Sequence, residues 1–375
     1  MPQSVFDYKT PSQVQGAAWT QELAIAPPGS LAAPLFALYP SLGDTTIATA
    51  TNLTTIQDGP SKVWRFGALT VNALLSFTKR ARPQFILCDS LVMGAGGGMS
   101  MTARGAAGAA NWPIVDLTIP QSVRLSANKI AQRDVLSYIT QNGIWIGDPV
   151  FWAFPDASVA DCRAVVTPGS VALLSAAGCG TIGLSMSGGL AGSSGGTGSG
   201  GAGAGYYMGP GWAGNGNPWG GGSGGGGACA SGSSPVGGPQ ADQYGGPGGK
   251  GYTYNSGCWA SGGTGNPGGA AGTLGGAVGN DGTGGVLVII CRGNITRNAS
   301  DSITANGVAG AACSGGSYNA ASGGSGGGHV SIIYGGTLTG TGNTTASGGA
   351  SGGGSASAGG AGSVVTKTFA QMGWT

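Results

Sequence analysis

The chain reads as mainly β: β-solenoid or sandwich-like repeats, a glycine-rich region with polyglycine-II-type packing, and one small inserted element containing a short helix. Three observations predict this. A strand–turn–strand unit recurs along the sequence. Of 375 residues 82 are Gly, whereas the charged residues are only 15 Lys+Arg and 13 Asp+Glu. The longest Gly tract is interrupted by Tyr and Trp clusters.

The composition removes several classes at once. Ordinary domains are about one quarter charged and about 7% Gly. Disorder needs low hydrophobicity and high net charge, but here the apolar fraction is 40% and the net charge +2. Residues 195–205 (GGTGSGGAGAG) break the strict third-position glycine of collagen. No basic cluster beyond Lys79, Arg80 and Arg82 offers a phosphate-tracking surface, so no nucleic-acid partner is expected. The first residues show no basic stretch followed by an apolar one, and no run of about 18 apolar residues occurs. These features predict synthesis in a cytoplasm without Sec export and without membrane insertion. The seven Cys are odd in number, widely spaced and without a CxxC pair, so neither a zinc site nor a disulfide framework is expected. No cofactor is implied.

Residues 1–62 are rich in Pro and Ala with short apolar runs such as 31–39 (LAAPLFALY), and are expected to form an N-terminal attachment segment. Residues 63–185 read as a β-rich domain. Its runs 68–77 (ALTVNALLSF) and 84–93 (QFILCDSLVM) are strand-like and separated by the turn TKRARP. A short helix is expected near 127–142, capped by Ser126 and closed by Gly143, with Ile130, Val135, Leu136 and Ile139 on one side.

The repeat starts in this domain. The run Phe85–Ile86–Leu87–Cys88, followed by Met101–Thr102–Ala103–Arg104–Gly105, recurs as Val288–Ile289–Ile290–Cys291 followed by Ile303–Thr304–Ala305–Asn306–Gly307. A one-residue slip separates the two halves. The unit returns at 330–338 with 345–352, and a last strand at 363–369 follows another Gly–Ser–Ala tract. Each unit cannot bury its apolar face alone, so stacking on the next is predicted, with the glycine tracts as return paths. Residues 286–375 are therefore a C-terminal β-repeat and glycine-tract region.

Residues 186–285 differ from everything else: 42 of these 100 are Gly, and only Asp242, Lys250 and Asp281 are charged. A flexible linker is one reading of such a tract. The aromatic clusters oppose it, because that much exposed ring surface on a mobile chain would aggregate. The ordered alternative is a bundle of extended three-residue-per-turn strands that hydrogen-bond sideways, where Gly lets the backbones approach closely.

Alternating glycine tracts and short aromatic segments over roughly 186–362 resemble the glycine-rich distal tail-fibre adhesins of T-even-like phages. The resemblance implies layered polyglycine-II helices with intervening loops that touch a bacterial receptor. The expected receptor-binding residues are Tyr206, Tyr207, Trp212, Trp219, Tyr244, Tyr252, Tyr254 and Trp259. Tyr and Trp suit such a surface because they offer a flat apolar face, a polar edge and little entropy to lose. The alternative is that the rings plug the ends of the glycine layers as a small core.

No catalytic or metal site is expected. The lone His329 lies in GGGHVSII at the start of a repeat strand, which favours a structural role. Asp148, Asp156 and Asp161, beside Trp145 and Trp152, are the only candidates for a carboxylate pair that cleaves glycan, and turn-associated surface Asp is the plainer reading. The function expected is that of a virion tail protein, fibre or tip, acting at the host cell surface and binding a saccharide or outer-membrane protein. It would join other tail proteins through its N-terminal region, and a homotrimer would cover exposed strand edges. The alternatives are a structural virion component (shaft, tail tip or capsid decoration) without receptor contact, and a surface-glycan depolymerase.

Overall fold

Short runs of aliphatic and β-branched residues bounded by Asp, Asn, Ser and Gly are too short for helices, and their side chains fit a pleated surface. They form strands. The computed structural model describes Phe36, residues 41–58, 62–107, short strand pieces at 124–125 and 129–130, then 200, 202–206, 212–214, 220–230, 245–254, 256–315 and 317–372.

The chain makes repeated three-strand circuits. The first is β1 (Thr45–Ile47), β2 (Thr51–Leu53) and β3 (Lys62–Arg65). The second is β4 (Ala68–Val71), β5 (Leu74–Phe77) and β6 (Gln84–Cys88). The third starts with β7 (Ser90–Met93) and β8 (Gly98–Ser100). A long insertion follows, carrying β9 (Arg124–Leu125), β10 (Lys129–Ile130), β11 (Gly205–Tyr206), β12 (Ala228–Cys229), β13 (Tyr252–Thr253) and β14 (Cys258–Ala260). Strand β15 (Val286–Cys291) then completes the circuit. The fourth comprises β16 (Ile295–Thr296), β17 (Ser302–Thr304) and, after β18 (Tyr318–Ala320), β19 (His329–Tyr334). The last is β20 (Leu338–Thr339), β21 (Asn343–Thr345) and β22 (Ser363–Thr368).

Equivalent strands pair in parallel to give three five-stranded sheets, β1-β4-β7-β16-β20, β2-β5-β8-β17-β21 and β3-β6-β15-β19-β22. The described chain is thus mainly β, with parallel sheets and almost no helix. One face of each sheet feeds a common core in which Leu69, Leu91 and Ile295, Leu75, Met99 and Ile303, and Ile86, Ile289 and Ile332 are buried. The first two sheets alternate buried and exposed positions, as in β7. In the third sheet every residue of β6 and β15 is buried, which is why VLVIIC reads as an unbroken apolar run.

Arginine–aspartate pairs tie successive circuits where the chain passes between sheets. Asp89, after β6, accepts from both Arg65 and Arg292 at 2.8 Å, and Phe36 lies on the two guanidinium groups. Asp58 receives Arg80 and the Ala107 N–H. Arg297 and Asp301 form a buried pair, and Arg297 also donates to Thr344 Oγ1 on the next circuit.

Several sequence expectations need correction. The runs 68–77 and 84–93 are each two strands in different sheets, bent at Asn72–Ala73 and at Asp89. The first half of the repeat is in the expected register, Val288 opposite Phe85 and Cys291 opposite Cys88. The second half is displaced by two residues: Met99, not Met101, stands opposite Ile303. The resemblance of MTARG to ITANG is coincidental with respect to pairing. Residues 45–62 supply strands of the first circuit, and the 63–185 and 286–375 segments share all three sheets, so strand pairing crosses the expected boundaries. Lys129–Ile130 is a strand antiparallel to β9, where the start of a helix was expected. The remainder of that helix lies outside the described residues.

All three glycine tracts sit at the same point of the circuit, between the second and third sheets. There the described backbones pack at close range, with only a few small polar side chains such as Ser223, Thr264 and Ser325 between them. Ser322, Ser325 and Gly328 donate to the carbonyls of Ala311, Val308 and Ala305; Gly323 and Gly326 donate to Gly225 and Gly222; Gly324 and Gly327 donate to Ser357 and Gly360. Every third residue of one segment thus serves the same neighbour, which is the signature of a three-residue turn. Residues 220–230 are buried throughout. A Cβ on Gly224 would stand 2.2 Å from the Gly323 carbonyl oxygen, and one on Gly227 2.1 Å from that of Ala320, so larger residues would force the segments apart. Ordering a Gly costs roughly 0.5–1 kcal/mol more than ordering an Ala, and a hydrogen bond contributes about 0.5–1.5 kcal/mol net. The two nearly offset, so the bundle depends on pairing at almost every residue.

Candidate functional site

The glycine segments have a sheet-side end and a far end. Near the sheets, Gly105 donates to the Thr283 carbonyl, Gly221 to that of Gly284, and the Asn266 side-chain amide to Gly105, Gly245 and Thr283 Oγ1. At the far end the composition changes from Gly to Ala, Cys, Thr and aromatics, and local strand pairing takes over. The parallel trio β11-β12-β13 aligns Gly205, Ala228 and Tyr252, then Tyr206, Cys229 and Thr253. Strand β14 pairs with β18, placing Cys258 opposite Tyr318 and Trp259 opposite Asn319.

Beneath these strands lies a small second core of Ala204, Cys229, Cys258, Ala260 and Ala320, with Tyr318 and Ala356 packed on it. Small side chains suffice because the segments are already close. Burial, followed by a hydrogen bond with the Cys258 thiol, pushes the Cys229 thiol up to about 12. A thiol held protonated is a poor nucleophile and metal ligand, so Cys229 is a packing residue.

The expected ring residues divide. Tyr252 and Tyr254 are exposed, 36% and 60%, and alternate with the less exposed Thr253 along one strand, so they share its outer side. Trp212 is also exposed, at 47%, two residues before Gly214, which donates to the Ser223 carbonyl in a different segment. Trp259 is half-buried: a Cβ on Gly275 or on Gly315 would lie 2.5 Å from a carbon of its indole. Both glycines have positive φ, +142° and +121°, so two turns close onto this ring. The packing role fits Trp259 better than the binding role. For Tyr206 the backbone strand alone is described; Tyr207, Trp219 and Tyr244 lie outside the described residues, as do Asp148, Asp156 and Asp161.

The tyrosine strand is held from both sides. Tyr252 and Tyr254 donate their N–H groups to Gly227 and Cys229, while Thr253 Oγ1 meets Thr273 Oγ1 at 2.9 Å and accepts the Leu274 N–H. Leu274 and Val278 add exposed apolar surface in neighbouring turns. Lys250, a residue absent from the expected set, is exposed two positions before Tyr252, in the stretch where Gly249 and Tyr252 bond to Gly224 and Gly227 at three-residue spacing. Its signal was the pattern Lys–Gly–Tyr–Thr–Tyr, whose polar and aromatic members recur at every second position.

The described acids are all engaged. Besides the three paired with arginine, Asp44 accepts the Ala68 N–H and Asp281 that of Gly268. His329 is buried on β19 with Nδ1 2.8 Å from Ser363 Oγ. Among the described residues, no group of three or more His, Cys, Asp or Glu gathers where a metal could bind. No protein-family model, no curated protein and no solved structure matches the chain.

Proposed function

We propose that the protein is a phage tail protein, of the fibre or its tip, that binds a receptor on the host cell surface. The reading rests on one observation: Tyr252 and Tyr254 are exposed on a strand braced by a nearly uncharged backbone bundle. Rings fixed in this way lose little entropy on binding.

The finer architecture belongs to the same reading. The three sheets are the faces of a β-solenoid, supported by the unchanging circuit order and by the shared core. The glycine segments are polyglycine-II helices, supported by their three-residue hydrogen-bond period. At about 3.1 Å per residue, the run from Gly220 to Cys229 would hold the ring-bearing strands roughly 28 Å from the sheets. Such a stalk suits an adhesin, since stiffness presents the tip without a mobile linker.

Purified protein applied to a panel of bacterial cells tests the proposal. Retention by at least one strain is expected, with replacement of Trp212, Tyr252 and Tyr254 by Ala weakening it about tenfold or more while the melting temperature is unchanged. Retention by none, or undiminished retention of the triple variant, would overturn it.

A structural virion subunit is favoured by a different observation. The end strands β20, β21 and β22 each have one neighbour only, an arrangement suited to stacking in a shaft. Immunolabelling of intact particles separates the two, because a shaft position away from the tip removes the case for receptor contact.

A further inference from the structure

Resting on the adhesin reading, we propose that residues 250–254 form a binding edge for an anionic glycan, a polymer whose pyranose rings carry a carboxylate or phosphate. Lys250, Tyr252 and Tyr254 are exposed while Gly251 and Thr253 are half-buried; Tyr252 and Tyr254, bonded to Gly227 and Cys229, share one side, and Lys250 leaves the adjoining stretch, where Gly249 and Tyr252 bond to Gly224 and Gly227 at three-residue spacing. Alternate residues of an extended strand lie about 6.6–6.8 Å apart. Two rings at that spacing can each lie against the apolar face of a sugar in an extended polymer, and the ammonium group at the end of the row meets an acidic substituent.

The surroundings favour an anion over a neutral or cationic ligand. Among the described residues of the glycine-rich region the charged side chains are Lys250 and Asp281, and Asp281, a charged carboxylate that accepts the Gly268 N–H, lies beside Gly265 and Asn266 at the sheet-side end. Lys250 forms no ion pair among the described residues, so its charge is available. The row is also preformed: the Thr253 hydroxyl is clipped to Thr273 and Leu274 on one side, and Tyr252 and Tyr254 are hydrogen-bonded to β12 and the residue before it on the other. Direct hydrogen bonds from the tyrosine hydroxyls to sugar oxygens complete the match, since each phenol both donates and accepts.

The full chain would be titrated by calorimetry with polygalacturonate fragments, with the same polymer after carboxyl reduction, and with a phosphate-bearing mannan. Binding to at least one charged polymer is expected, about threefold or more tighter than to the reduced one, with the advantage lost at high salt. The charged arm that binds identifies the substituent. Lys250→Gln is expected to equalise the charged and reduced forms, and Tyr252→Ala and Tyr254→Ala to weaken both about tenfold. Circular dichroism of each variant controls for folding, and Tyr252→Phe with Tyr254→Phe, which keep the rings, should retain most of the binding. Equal affinity for charged and reduced polymer, or binding to none of the three, overturns the anionic-glycan assignment while leaving cell adhesion to stand on its own test. Glycan binding without retention on any cell would instead sink the adhesin reading and preserve this one.

Discussion

Cys88 and Cys291 stand opposite each other on the parallel strands β6 and β15, both fully buried, although the entire glycine-rich insertion separates them in the chain. Interaction with the neighbouring Cys291 thiol, and then burial, pushes the Cys88 thiol well above the usual range. The third circuit therefore closes across the insertion as tightly as the second closes without one. Side-chain packing at the sheets, and backbone pairing in the glycine bundle, are two separate sources of order in one chain.

The first source is testable at Ile289, which is fully buried and stands between Ile86 and Ile332. Ile289→Ala is expected to lower the unfolding free energy by about 2–5 kcal/mol in urea titrations. A loss below about 0.5 kcal/mol would mean that the three sheets do not share a packed core.

The second is testable at Gly224, where a methyl group would press on the Gly323 carbonyl. Gly224→Ala is expected to cost about 1–3 kcal/mol, as overpacking does. Hydrogen exchange should quicken at Gly323 and Gly326, which donate into that segment, and not at the Ile332 amide in the third sheet. Uniform protection identical to that of the unaltered chain would show that the bundle tolerates side chains.

The Arg297–Asp301 pair is buried, and Asp301 additionally accepts the Asn298 N–H. Asp301→Asn leaves the guanidinium without its counter-charge and is expected to cost about 3–5 kcal/mol. Replacing both residues by Leu should recover part of the loss. Thermal melts of the three proteins decide the matter, and a double variant worse than the single one would contradict the argument.

Alkaline stability should depend on Cys229. Its thiol is held protonated to about 12 in the folded chain, against an ordinary value of 9.0. Below about pH 9 both states keep the proton and the stabilisation is complete. Between about 9 and 12 the unfolded chain releases a proton that the folded chain retains, so stability falls as pH rises. Cys229→Ala should flatten this decline in denaturant titrations at pH 8, 9.5 and 10.5. An equal slope in the variant would assign the alkaline loss to other groups.

Much of the fold was legible because strand pairing here is a repeat. The run FILC found VIIC in the correct register, since apolar residues that face one core must match position by position. The companion alignment of MTARG with ITANG failed by two residues. Met99 and Met101 both reach the core, so burial does not choose between them, and the turn before β8 decided which one stands opposite Ile303. The ring residues were legible as a set but not as individuals. Sequence treats Trp259 and Tyr254 alike, whereas Gly275 and Gly315 close on the first and, among the described residues, no glycine turn closes on the second. Lys250 was legible as one of the few charges of the tract, and its place beside Tyr252 and Tyr254 in the pattern Lys–Gly–Tyr–Thr–Tyr gained meaning only from their exposure.

Composition and periodicity alone determined that this chain would be mainly β and poor in charge, for those are properties of residue type: short aliphatic runs pair as strands. The tertiary structure decided where the tracts belong. All three return between the second and third sheets, stack on one another, and so bring residues 205–206, 228–229, 252–254 and 258–260 to one end. No local signal specifies that gathering, because glycine segments have no side chains with which to encode a partner. It follows from the registers of β8, β17 and β21 on one side and of β15, β19 and β22 on the other, which fix where each tract leaves and rejoins the sheets.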